Sequence, residues 1–227
     1  MIKAKEINKI EINRLSDKVY STIKQSIINL SLKPGEQLVE MQLAAELGVS
    51  KSPIRDAFQR LEREKLVSMV PYKGWYVQKV SLEEFKQNHE LREALEIHCL
   101  SKGLGSYTKE DIKEFKQTME LAKKKLDQGN NFAAYKAHHH FHVLIVKKLK
   151  NKLLENIYSN ISDNLERHLN IGVRYMPSRT RLANEQHFNL LEAIEKKDVS
   201  LAVDRLKGHL SMLLEDYLNC DEIKKLE

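Results

Sequence analysis

Leu43, Leu47, Val49, Ile54 and Ala57 keep a helical apolar spacing across a break that holds Gly48, with small Ala44 where two helices must cross. That pattern is the helix-turn-helix arrangement, in which a glycine ends the first helix in the left-handed region and small residues let the helices approach. The spacing predicts one helix over Val39–Leu47 and the next from Ser50 to about Lys65. Upstream, Leu15, Val19, Ile23 and Ile27 recur every four positions behind Ser16, an N-cap type, so a first helix is expected over about 17–30, before the Pro34–Gly35 turn. Downstream, Leu66–Val70 and Trp75–Val80 flank Pro71-Tyr72-Lys73-Gly74, a hairpin signal with glycine at the bend. Three helices closed by a hairpin make a winged helix; the bland alternative is a small helical domain whose pattern arose by chance.

Charge falls on the same segment. Residues 1–80 hold 14 basic against 9 acidic side chains and residues 81–227 hold 24 against 23, so most of the net +6 lies in the first third. All nine histidines lie in the remainder, from His89 to His209. Two parts are expected, 1–80 and 81–227, with the boundary near Lys79–Leu82. A basic helix-turn-helix unit points to double-stranded DNA. Lys51, Ser52 and Arg55 fall in the first turns of the third helix, where side chains reach base edges and phosphates in the major groove. Lys73 and Gly74 at the wing tip can meet a flanking phosphate or the minor groove.

Leu-Lys-Pro-Gly-Glu-Gln-Leu at 32–38, Leu-Gly-Val-Ser-Lys-Ser-Pro-Ile-Arg-Asp-Ala at 47–57, and Arg60-Leu61-Glu62 with Leu66-Val67 resemble the DNA-binding domain of GntR-family bacterial transcription regulators over residues 15–80. The resemblance implies operator contacts by Lys51, Arg55 and the wing around Gly74. Lys51 stands where the family usually carries arginine and lacks the bidentate fork for guanine, which loosens selectivity there; Met41 stands at an often polar position.

Helical periodicity continues over Leu82–Leu104, Ile112–Leu126, Phe132–Leu149, Asn151–Ile171, Thr180–Glu195 and Val199–Leu218. The fold class expected is mainly α: a winged helix-turn-helix followed by an antiparallel six-helix bundle. Four histidines fall on apolar stripes of that bundle. His138 and His142, at i and i+4, share one face. His187 and His209 each lie about eleven residues from the turn near Lys197-Asp198, which sets them level in an antiparallel hairpin, roughly 16 Å from the turn at ~1.5 Å per residue. Any one of them could be an ordinary core histidine, but four together favour a divalent transition metal, with Zn or Ni foremost. His139 and His140 point elsewhere and read as solvated or supporting groups.

Glu90-Leu91-Arg92-Glu93-Ala94-Leu95-Glu96, Phe141-His142 followed by Asn151, and Glu185-Gln186-His187 with His209 twenty-two residues on resemble the FCD effector domain of the FadR subfamily, and six helices rather than seven resemble its VanR-like branch. The resemblance implies a metal held by three histidines, matched by His142, His187 and His209, and by a carboxylate four residues before the first. Position 138 carries His where Asp is usual, which removes one negative charge and favours a nitrogen-preferring metal. Arg92 matches the family arginine that faces the effector cavity, where it would pair with a small carboxylate effector; the alternative is an exposed ion pair with Glu96 at i+4.

The function expected is therefore a DNA-binding transcription regulator, not an enzyme. It is read as a homodimer on a short palindrome whose operator affinity changes when a small organic acid binds at the metal, and the resemblance implies repression relieved by ligand as the commoner outcome. A direct metal sensor uses the same residues. A metal-dependent hydrolase fused to a DNA-binding module lacks H-E-x-x-H, G-x-S-x-G or a paired carboxylate to serve as general base. Cys99 and Cys220 form no C-x-x-C pair, no apolar run reaches the roughly 18 residues of a membrane span, and Met1–Ile12 lacks a signal-peptide core, so a cytoplasmic protein without membrane contact is expected.

Overall fold

The computed structural model describes residues 3–227, with side chains from residue 15 onward; the side chains of Met1–Ile12 therefore lie outside the described residues. The chain divides into two compact units, Met1–Val80 and Ser81–Glu227.

In the first unit, helices α1 (Lys3–Ile28), α2 (Glu40–Leu47) and α3 (Lys51–Arg63) pack with strands β1 (Gln37–Leu38), β2 (Val67–Val70) and β3 (Gly74–Val77). The first helix begins upstream of the expected 17–30, so Ser16 lies inside it and caps nothing. Val19, Ile23 and Ile27 on its inner stripe are buried, whereas Leu15 is exposed. Together with Ile54, Ala57, Phe58 and Leu61 of α3, Leu66 just before β2, and Trp75 and Val77 of β3 they form one core. Gly48 ends α2 at φ +65°, a conformation that costs a side chain dearly, and its N–H satisfies the carbonyls that the helix end leaves open.

The hairpin pairs β2 with β3 antiparallel, Met69 opposite Trp75 and Val70 opposite Gly74. A third strand was not legible in the sequence: β1 pairs with the other edge of β3, giving the order β1-β3-β2. Two residues are too short for an alternation signal. Their pairing, Gln37 with Tyr76 and Leu38 with Trp75, tucks the chain before α2 against the wing. This unit is a winged helix.

The second unit contains α4 (Leu82–Gly103), α5 (Lys109–Asp127), α6 (Asn131–Lys148), α7 (Lys152–Tyr175), α8 (Pro177–Glu195) and α9 (Val199–Asn219), a six-helix bundle followed by the four-residue α10 (Asp221–Lys224). Sequence capping sets the starts. Ser81 accepts from the Glu84 N–H, Thr108 and Asp111 form a reciprocal capping box, and Asn130, Asn151 and Asp198 cap α6, α7 and α9. Pro177 occupies the first turn of α8, where its missing N–H costs nothing. No helix among the described residues is long and apolar enough to cross a membrane.

Candidate functional site

The interior of the bundle holds more polar side chains than a plain core. His89, Arg92, Glu96, His138, His142, Arg167, His168, His187 and His209 are all buried. Burial of so many titratable groups is costly unless each finds a partner.

Two of these histidines are structural. His89 holds the Leu210 carbonyl through Nε2 at 2.9 Å, and His168 Nδ1 lies 2.9 Å from the Tyr217 hydroxyl, with Phe85 packed against both rings and Tyr217. Burial drives their pKa values down from 6.5, to about 4 for His89 and about 3 for His168.

The others gather around a small cavity between α4, α6, α7, α8 and α9. One ring nitrogen each from His142, His187 and His209 falls within 4.8 Å of the other two. Helix geometry explains the convergence: His187 and His209 face each other across the α8–α9 hairpin with ring centroids 4.3 Å apart, and His142 of α6 closes the group at 4.8 and 5.2 Å.

The outer nitrogens fix the tautomers. His142 Nδ1 lies 2.6 Å from Glu96 Oε2, His187 Nδ1 2.6 Å from the Ala183 carbonyl, and His209 Nδ1 2.8 Å from Gln186 Oε1. All three partners are acceptors, the Gln186 oxygen as assigned, so all three Nδ1 atoms carry the proton and each Nε2 presents a lone pair. His142 Nε2 and His187 Nε2 then stand 2.9 Å apart with no hydrogen between them. Lone pairs converging in this way can hold a metal ion, and an imidazole whose far nitrogen donates to a carboxylate or carbonyl is the usual form of a metal ligand. Burial depresses all three pKa values, most for His187 and His209, which keeps the rings neutral and available to a metal. The three imidazole nitrogens can coordinate a metal ion.

His138 reaches the same cavity but stands outside the converging group. Its Nε2 is held by Asn184 Oδ1 at 3.1 Å and its ring stacks on His187 at 4.5 Å, while its buried Nδ1 has no partner. His139 is partly buried at the cavity wall, with Nε2 3.0 Å from Ser162 Oγ, and His140 is exposed.

Arg92 forms the i, i+4 ion pair with Glu96 at 2.7 Å, but the pair is buried rather than exposed, at 2% and 0% side-chain exposure. Glu96 also accepts from the Tyr158 hydroxyl at 2.7 Å. Burial opposes ionisation of Glu96, yet the Arg92 guanidinium and His142 hold its carboxyl far below the usual range. Arg92 lines the cavity and keeps one terminal nitrogen, Nη1, without a partner. Glu96 thus links Arg92 to the histidine cluster.

Sequence reasoning assigned no role to Tyr158, Asn184, Gln186 or Arg179, and read Glu96 only as a partner for Arg92. Glu96 and Gln186 stood inside the motifs quoted above, but the histidines they hold, His142 and His209, lie on other helices. Tyr158, Asn184 and Arg179 carried no local signal.

In the first unit, Lys51, Ser52 and Arg55 are exposed on the first turns of α3. Arg55 pairs with Glu40 Oε2 at 2.7 Å, which fixes its direction while leaving 62% of the side chain exposed. At the wing tip Lys73 is exposed, Gly74 takes φ +101°, and Gln37 Nε2 donates to the Lys73 carbonyl at 2.8 Å, tying the tip to β1.

The bacterial regulatory protein gntR family model matches residues 15–77 and the FCD domain model matches residues 87–212. Among curated relatives, the transcriptional repressor RspR of Escherichia coli K12 is 22% identical over 205 residues, covering 88% of each chain. The regulator YdhC of Bacillus subtilis is 25% identical over 195 residues, covering 85% of this chain and 86% of its own. Among solved structures, E. coli McbR/YncC superposes with a TM-score of 0.75 at 21% identity, over 90% of this chain and 97% of that one. A GntR transcriptional regulator from Rhodococcus sp. RHA1 superposes at 0.77 with 17% identity, over 89% and 97%. With one model matched across its winged helix and the other across most of its helical bundle, the chain belongs to the GntR family of bacterial transcription regulators and carries an FCD-type effector domain.

Proposed function

We propose that the chain is a homodimeric repressor of the FadR subfamily, VanR-like branch, whose operator binding is controlled by a small organic acid bound at a metal in the helical unit. The observation that carries this reading is the convergence of three Nε2 lone pairs beside a buried arginine with an unpaired nitrogen. His142, His187 and His209 hold the metal; Glu96 and Gln186 orient two of the rings through side-chain oxygens; Arg92 receives the carboxylate. The metal, when bound, offers open positions to an acid oxygen. His138 stands ready as a further donor once Asn184 releases it. Acid binding shifts the population of dimers competent to bind a short palindrome, with α3 in the major groove. Homodimerisation is expected through the helical unit, and the cell compartment is the cytoplasm.

Metal analysis of the untagged protein tests the site. We expect about one zinc or nickel per chain in the parent and near none in the His187→Ala, His209→Ala double variant. No uptake by the parent on adding either ion returns the histidines to the core and removes the effector model. Metal that dissociates freely at physiological concentration assigns the signal to the metal itself.

The DNA face is tested separately. Arg55→Ala should weaken operator binding by about 10- to 100-fold and relax selectivity at one base pair, while Lys73→Ala should weaken all sequences alike and reduce the salt slope by about 1. Fluorescence anisotropy at several salt concentrations distinguishes the two, and unchanged affinity in Arg55→Ala removes it from the interface.

A further inference from the structure

The cavity wall contains a second arginine that neither the sequence nor the metal reading used. Arg179, in the first turns of α8, lines the cavity and also a wide surface recess bounded by Asp216, Asn219 and Glu222, so its side chain stands between the interior and the outside. It is 10% exposed. Asp216 Oδ2 lies 2.6 Å from its Nε and Gln186 Oε1 accepts from its Nη1 at 3.1 Å, but buried Nη2 has no partner. The same Gln186 oxygen accepts from His209 Nδ1, so one amide connects the guanidinium to the histidine cluster.

Charge counting then limits the ligand. Two arginines and no carboxylate line the cavity, and His138 adds no negative charge. Glu96 and Asp216 behind the wall offset the two guanidinium groups, leaving the charge of a divalent ion held by three neutral imidazoles. A monoanion leaves one positive charge uncompensated in a largely apolar enclosure, where that is expensive. It also leaves one of two buried arginine nitrogens without an acceptor.

We infer, resting on the metal-and-acid reading above, that the effector carries two acid groups on a short spacer, one received at the metal and Arg92 and the second by Arg179 at the cavity mouth. Arg179 is therefore the residue that separates diacids from monoacids. The Arg179–Gln186–His209 chain connects the second site to the first, so short diacids are the probes to use.

Isothermal titration of the full-length, zinc-loaded protein with malonate, succinate and glutarate, each against propionate, butyrate or valerate of the same carbon count, tests this. At least one diacid should bind about 10- to 100-fold more tightly than its monoacid partner, the size expected of a charge-assisted contact. Arg179→Gln, measured on protein that holds zinc, should remove that preference, and Arg179→Lys should restore part of it. Equal binding of diacid and monoacid, a preference that survives Arg179→Gln, or no acid binding to protein that holds zinc each overturns the inference and leaves the metal site standing. Protein that takes up no zinc fails the underlying reading instead.

Discussion

Replacing Glu96 with Leu is expected to destabilise the helical unit by about 3–5 kcal/mol, because it leaves Arg92 charged and buried without its partner. Both side chains lie at 2% exposure or less, and the same carboxylate accepts from the Tyr158 hydroxyl and holds His142 Nδ1. For a unit of this size that loss lowers the melting temperature by roughly 10 °C, read by circular dichroism. Loss of the group that orients His142 should also weaken metal binding by about 10- to 100-fold. The two effects separate in the Arg92→Met, Glu96→Leu double variant, where an apolar pair of similar volume should recover much of the stability but none of the metal affinity. A loss under about 1 kcal/mol in Glu96→Leu would falsify the view that the carboxylate anchors this network.

Acid should destabilise the helical unit well before its surface carboxylates are neutralised. Burial holds His89 at about 4 and His168 at about 3, against 6.5 for an ordinary histidine, and holds His138 at about 4. A histidine whose folded pKa is depressed binds fewer protons than its unfolded counterpart, so its stabilisation is complete above pH 6.5 and is lost as pH falls from 6.5 through the folded value. At about 1.4 kcal/mol per unit, each of these rings contributes on the order of a few kcal/mol. Melting curves from pH 7.5 to 4.5 should show a steady fall beginning near 6.5, and a shallower fall in His89→Met, which removes one titrating ring. A flat melting temperature between pH 7 and 5 would mean that these rings do not sit neutral in the core.

The fold was largely legible because its signals are local. Gly48, the apolar spacing around it and the Pro71–Gly74 bend fix helix ends and a hairpin through steric rules that act over a few residues, and Thr108, Asn130, Asn151 and Asp198 cap helices in the same way. The start of α1 was misjudged for the same reason: Ser16 is a cap type, but a cap forms only where the helix stops, and this one continues upstream. β1 was missed because two residues carry no period.

Helix periodicity and equal distances from one turn set His187 beside His209, and i, i+4 spacing put His138 and His142 on one face. Rotation of α6 against α8 then decided which of those two meets the cluster, and it chose His142 while Asn184 took His138. The same packing turned a surface-type Arg92–Glu96 pair into a buried one and carried Arg179 to the cavity mouth. Which residues share a helix face follows from 3.6-residue periodicity, a property of the chain alone. How deeply each face is buried, and which Nε2 atoms meet, follows from helices far apart in sequence docking against one another, which no local pattern encodes.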